Sequence, residues 1–254
     1  MARRRKGRSP VVAEEFGIEA KQDSSWTAPL TILGVTLLIS FGFLYRYFGP
    51  TLTEIRGDTP DPSASDVPIV MDIGRARLIV PTNFTRFPRA RRDGPRDSVA
   101  LYSLLPEFEA FTVEKAAVFD SNSPDSPVIY FDISNYSSAL SEVDRLEKVY
   151  KEKIVDPQGR DGPYGLTVYE FAQGTGYDHE DLFVFYEEGK QPVVLICDEE
   201  TDVTPSPNCR RAMRLNETLS LSYRYKRPWL AQWRSIDLSI QELVNSFIVD
   251  DEGG

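Results

Sequence analysis

The sequence predicts an α+β protein: a single N-terminal transmembrane helix followed by an extracytoplasmic domain with a mostly antiparallel β-sheet and two or three amphipathic helices. Three patterns predict it. One uncharged apolar run lies near the start, many short apolar runs are separated by turn residues, and two longer stretches carry apolar residues at helical spacing. A chain of 254 residues suffices for one folded domain with appendages, since single cores stop growing near ~250–300 residues.

Residues 24–45, SSWTAPLTILGVTLLISFGFLY, form a run of 22 without a charge, bounded by Asp23 and Arg46. As a helix they would span roughly 33 Å, against a hydrocarbon core of ~30 Å. Trp26 at one end and Tyr45, Tyr47 and Phe48 at the other suit interfacial anchors. A cleaved signal peptide fits less well: Glu14, Glu15 and Glu19 precede the run, and no small-x-small site follows it. Arg3, Arg4, Arg5, Lys6, Arg8 and Lys21 stand before the helix, with only Arg46 and Arg56 closely after it. That asymmetry places the N-terminus in the cytoplasm and the rest of the chain beyond the inner membrane, in the periplasm or its equivalent. The expected layout is a basic tail (1–23), a membrane helix (24–48), an extended Pro/Ser/Asp-rich linker (49–66), the α+β domain (67–249) and an acidic tail (250–254).

Strands are expected at VPIVMDIG (67–74) and ARLIVP (76–81) on either side of a glycine. Others follow at SVALYSLLP, SPVIYFDIS, YGLTVYEFA, DLFVFYEE and QPVVLICD, and at the alternating ETLSLSYRYKRP (217–228). Short connections favour antiparallel pairing. SSALSEVDRLEKVYKEKIV (137–155) sets Leu140, Val143, Leu146, Tyr150 and Ile154 on one stripe, with Ser137 or Ser138 as cap. RPWLAQWRSIDLSIQELVNSFIV (227–249) aligns Leu230, Trp233, Ile236, Ile240, Leu243, Val244 and Phe247, with Pro228 in the first turn. A further short helix is expected within 107–118.

Cys197 and Cys209 bracket the polar loop DEETDVTPSPN between two strand-like runs, so a structural disulfide is expected in an oxidising compartment. A redox-active pair usually has closer spacing, and two sulfurs with one distant histidine do not complete a zinc site.

The chemistry-bearing motifs are few. His179, the single histidine, sits in GYDHEDLF beside Asp178, Glu180 and Asp181; the quartet reads either as a cation or pH-sensing site or, more simply, as a solvated acidic turn. QGRDGPYG and AQGTGY lack the Lys and the strand-to-helix setting of a phosphate loop, and G-x-S-x-G does not occur. The expectation is a non-enzyme without metal or cofactor.

One stretch breaks the acidic character of the chain. From Arg46 onward there are 23 Lys and Arg against 35 Asp and Glu, yet residues 85–97, TRFPRARRDGPRD, hold Arg86, Arg89, Arg91, Arg92 and Arg96 against Asp93 and Asp97. The segment reads as an exposed basic hairpin loop. Its arginines would either pair with acids of the same domain, dock on an acidic partner protein, or bind anionic lipid or an envelope polymer. Nucleic acid is not expected on so acidic a body outside the cytoplasm. The functional expectation is an accessory or assembly subunit of a membrane or envelope complex, with a tethered sensor for an anionic ligand as the alternative.

Overall fold

The computed structural model describes residues 26–49, 51–136 and 140–249; the basic tail, the acidic tail and the expected caps Ser137 and Ser138 lie outside the described residues. The chain divides into two units, 1–51 and 52–254.

The first unit contributes helix α1, Thr27–Phe48, 22 residues with no buried side chain, long and apolar enough to cross a membrane. Near its N-terminal end, Thr31 turns its hydroxyl back to the carbonyls of Ala28 (2.8 Å) and Thr27 (3.1 Å). A hydroxyl satisfied within its own helix is compatible with an apolar surround.

The second unit opens with α2, Leu52–Arg56, a short helical piece where the sequence suggested only extended linker. Then come β1 (Pro68–Ile73) and β2 (Ala76–Pro81), paired antiparallel about the turn at Gly74, whose φ of +61° suits glycine. β3 (Gly94–Arg96) runs parallel to β1, and β12 (Ile248–Val249) closes the other side of β2, giving the order β12-β2-β1-β3. The basic segment is therefore not a hairpin loop. It leaves β2 through two 3-10 turns, adds β3 to the small sheet, and crosses to β4 (Ser98–Leu104) in another sheet.

That larger sheet has eight strands in the order β4-β5-β11-β10-β9-β8-β7-β6, antiparallel throughout: β5 Val128–Asn135, β6 Arg160–Asp161, β7 Thr167–Glu170, β8 Glu180–Phe185, β9 Val193–Asp198, β10 Asn208–Arg214 and β11 Leu219–Lys226. The Cys197–Cys209 disulfide joins directly opposed positions of β9 and β10, Cα atoms 4.0 Å apart, at the mouth of the loop that the cysteines bracket.

Helix α5, Trp233–Phe247, follows a 3-10 turn at Arg227–Gln232, so the expected helix over 227–249 starts six residues later and gives its last two to β12. Pro228 sits early in that 3-10 turn, where a missing N–H costs nothing. Trp233, Ile236, Ile240, Val244 and Phe247 press against Met71, Ile73 and Leu78 of the small sheet and Phe131, Ile133 and Leu221 of the large one, forming one core. Burying this face contributes stability at about 25 cal/mol per Å2 of apolar surface.

The helix expected over 137–155 is much shorter. α4 spans Glu142–Arg145 and runs into a π-helical turn at Leu146–Tyr150. Ser141, not Ser137 or Ser138, is the cap, its hydroxyl accepting the Asp144 N–H at 3.0 Å. Leu146 and Tyr150 of the expected stripe are buried, whereas Leu140 is exposed. In 107–118 the helical part begins only at Val113 and runs through α3, Ala116–Phe119.

Candidate functional site

Alternation along the strands gives the large sheet two faces. One carries Val99, Phe131, Ile133 and Tyr223 into the core with α5. The other is covered only at its ends. Tyr102, Leu104, Phe111, Phe119 and Val128 cluster at the β4–β5 end, while Leu146 and Tyr150 pack on Leu182, Val184, Val194 and Ile196 toward β8 and β9.

Between these clusters the register sets small and charged side chains in rows. Ala100, Asp132, Ser222 and Ala212 are cross-strand neighbours, and beside them run Tyr102, Tyr130, Arg224 and Arg210. The small residues leave space. A cavity of about 400 Å3 opens here, with Leu101, Tyr150, Val194 and Ile196 among its walls. A second, of about 430 Å3, adjoins it over Tyr102, Phe119, Asn122 and Lys226, with Pro60 and Pro62 of the linker as an outer wall. The two share Arg86, Tyr130 and Arg224.

At that junction both guanidinium carbons lie close to the Tyr130 ring, Arg86 at 5.1 Å and Arg224 at 5.0 Å from its centroid. Such contacts orient a cation without neutralising it. Neither arginine forms a salt bridge among the described residues. Burial raises the Asp132 carboxyl above its ordinary pKa, with Arg224 pulling the other way. Lys226 is buried and donates to Asn122 Oδ1 (2.8 Å) and the Ser206 carbonyl (3.1 Å); burial, then the like charge of Arg224, lowers its pKa. The Tyr102 hydroxyl is buried and has no hydrogen-bond partner among the described residues.

The edge of the groove is held differently. β9 and β10 pair at only two positions, Cys197 with Cys209 and Ile196 with Arg210, and beyond these β9 lacks its ladder partner. Glu142, at the start of α4, takes up the Val194 N–H at 2.8 Å. The same carboxylate receives Arg211 in a bidentate fork, Nε to Oε1 at 2.8 Å and Nη2 to Oε2 at 2.9 Å. Arg211 also reaches Asp237 of α5, which accepts the Tyr223 hydroxyl at 2.7 Å and the Gln241 amide at 3.1 Å. Burial alone would lower the Arg211 pKa, but Glu142 and Asp237 more than reverse it. Burial and the Asp237 charge push the Tyr223 phenol well up.

The residues singled out in the sequence fall in different places. Arg86 alone of the five loop arginines lines the groove. Arg89 pairs with Asp58 at 2.6 Å, and Arg91 with Asp61 at 3.6 Å and with the Thr85 hydroxyl at 3.1 Å, so these two hold the linker. Arg96 donates to the carbonyls of Ala90 and Arg92, and Arg92 is exposed. The His179 quartet is dispersed. His179 is exposed, Glu180 pairs with Arg210 and Asp181 with Arg227. Asp178 accepts the N–H groups of Gly174 and Thr175, which hold its carboxyl below the ordinary range. Among the described residues no group of three or more His, Cys, Asp or Glu side chains is placed to hold a metal.

The sequence reading missed Tyr130, Arg224 and Lys226. Their signal lay in the polar positions of SPVIYFDIS and ETLSLSYRYKRP, where two arginine or lysine side chains and a tyrosine stand on the face opposite the apolar one.

Fold and site together define a disulfide-bonded α+β domain with one covered and one grooved sheet face. Among solved structures it is similar to the immunity protein Smlt3025 of the Stenotrophomonas maltophilia type IV secretion system, with a TM-score of 0.54 and 14% identity over 73% of this chain and 95% of that one. The iron-regulated outer membrane lipoprotein FrpD of Neisseria meningitidis also matches, with a TM-score of 0.47 and 12% identity over 74% of this chain and 96% of that one. The first of these likenesses is one of fold. No family model matches the chain, and no curated protein sequence matches it.

Proposed function

We propose that this chain is a membrane-anchored, non-catalytic interaction module of the cell envelope, an accessory or assembly subunit of a membrane protein complex. In this reading α1 spans the inner membrane with the N-terminus in the cytoplasm, and the domain works on the far side. The observation that carries it is the open face of the large sheet, where a groove of ligand size is lined by charged and apolar groups. The apolar helix, the disulfide and a fold resembling that of a secretion-system immunity protein support an envelope role in binding.

A second reading, a tethered sensor for a small anion, lipid head group or envelope polymer, draws on the same groove arginines. The ion pairs of Arg89 and Arg91 with the linker weigh against the basic segment as a broad anionic-surface binder. Purification of the tagged full chain from native membranes in mild detergent tests the two. A stoichiometric protein partner is expected. Recovery of the chain alone, together with a rise in melting temperature on adding phosphate or an acidic polysaccharide, would replace the first reading with the second.

A further inference from the structure

We infer that the groove seats a linear acidic segment of the partner protein, one carboxylate resting on Arg86 and Arg224 beside Tyr130 and the neighbouring apolar side chain filling the adjoining cavity. This deepens the interaction-module reading and rests on it.

The first argument is charge not taken up in a salt bridge. Arg89, Arg91, Arg210, Arg211 and Arg227 each form a salt bridge with a carboxylate of this chain, whereas Arg86 and Arg224 form none among the described residues, Asp132 acting on Arg224 through its charge alone. Both instead lie against one aromatic ring at the junction of two cavities. On the outer side the lining adds the Lys226 ammonium, with Asp120 as the opposing carboxylate. The buried Tyr102 hydroxyl, which lacks a partner, lines the same cavity and supplies a further donor. Guanidinium forks match a carboxylate's two oxygens, and such charge-assisted bonds are about twice as strong as neutral ones.

The second argument concerns the shape of the ligand. A free anion would occupy the junction alone and leave the cavity of about 400 Å3 unused. That cavity has Leu101, Tyr150, Val194 and Ile196 on its walls and Ala100 and Ala212 on its floor, surfaces that favour an apolar side chain. Asp132 and Glu142 line it as well, Glu142 already taken up by Arg211 and the Val194 N–H, and Arg145 and Arg210 stand beside them. The apolar walls beside the two arginines suit an acid followed by a large apolar residue. The chain's formal net charge of −10 makes the recognition local, since the molecule as a whole repels acidic partners.

The test uses the full chain in detergent with a fluorescein-labelled peptide of alternating Glu and Leu, the same peptide with Gln for Glu, and inorganic phosphate. Saturable binding of the Glu/Leu peptide, weakened at least tenfold in R224Q and in R86Q at unchanged melting temperature, is the expected result. Equal binding of the Gln/Leu peptide, or full affinity in both variants, overturns the proposal. Arginine-dependent binding of phosphate without binding of either peptide also overturns it, in favour of a small-anion site. In the native-membrane purification, a partner retained equally by the R86Q/R224Q double variant would leave the interaction module standing but remove the groove as its docking surface. Absence of any partner would instead count against the module itself.

Discussion

Arg211 and Arg224 stand one strand apart, Arg211 facing Tyr223 across the β10–β11 pair and Arg224 following on β11, and the chain treats them in opposite ways. Arg211 is 7% exposed and forked into Glu142, with Asp237 on its other side. Arg224 lies in the groove against an aromatic ring and forms no salt bridge among the described residues, with Asp132 nearby. The first guanidinium closes a seam between strands and helices. The second is held ready, oriented by a ring but not neutralised. Two identical side chains thus separate the part of the sheet that keeps the fold from the part that opens into the groove.

The contrast predicts unequal costs. R211M strands two carboxylates in a closed site and should lower stability by about 3–5 kcal/mol in urea denaturation, while R224M should change it by about 0.5 kcal/mol or less. Comparable losses for the two would erase the distinction. Removing all the charges together, as R211M/E142Q/D237N, should recover a substantial part of the R211M loss, because no ion is then left without a partner.

A smaller effect is expected at the other end of the same seam. C197S/C209S opens a loop with a sequence separation of 12 and should cost about 3 kcal/mol in the chain-entropy model. Reductant should destabilise the parent by a similar amount and leave the variant unchanged.

The smallest effect sharpens the groove side. A carboxyl whose folded pKa is raised favours the folded state below its unfolded pKa and loses that contribution as pH rises through the folded value. Asp132 is such a group, from an ordinary value of 3.8. The stability of D132N relative to the parent should therefore increase between pH 3 and pH 7, read from melting temperatures. A constant difference would mean that the groove does not desolvate this acid.

The strands were legible because period-2 alternation needs only local sequence: IYFDI and LSLSYRY each announce a buried face and an open one. α5 was legible for the same reason at helical period, apart from its ends, where Arg227–Gln232 tightens into a 3-10 turn and Ile248–Val249 leaves to pair with β2. β10 announced itself poorly, since NCRRAMR carries three arginines and little alternation; only the bracketing cysteines pointed to it. α4 was overdrawn because the stripe from Leu140 to Ile154 records spacing, while the Ser141 hydroxyl decides where the helix starts. The groove joins Arg86, Tyr130 and Arg224, and only strand order brings such distant positions together. Conspicuous clustering in sequence was a poor guide: Arg89 and Arg91 bind the linker, and only Arg86 reaches the groove.

β12 has a consequence in time. Ile248 pairs with Leu78, a strand residue made about 170 positions earlier, so the small sheet cannot be completed until nearly the whole domain has been synthesised. Until then the edge of β2 offers unpaired backbone groups to any neighbouring strand. Because synthesis runs from the N-terminal end, this favours late, all-at-once closure of the core over stepwise folding.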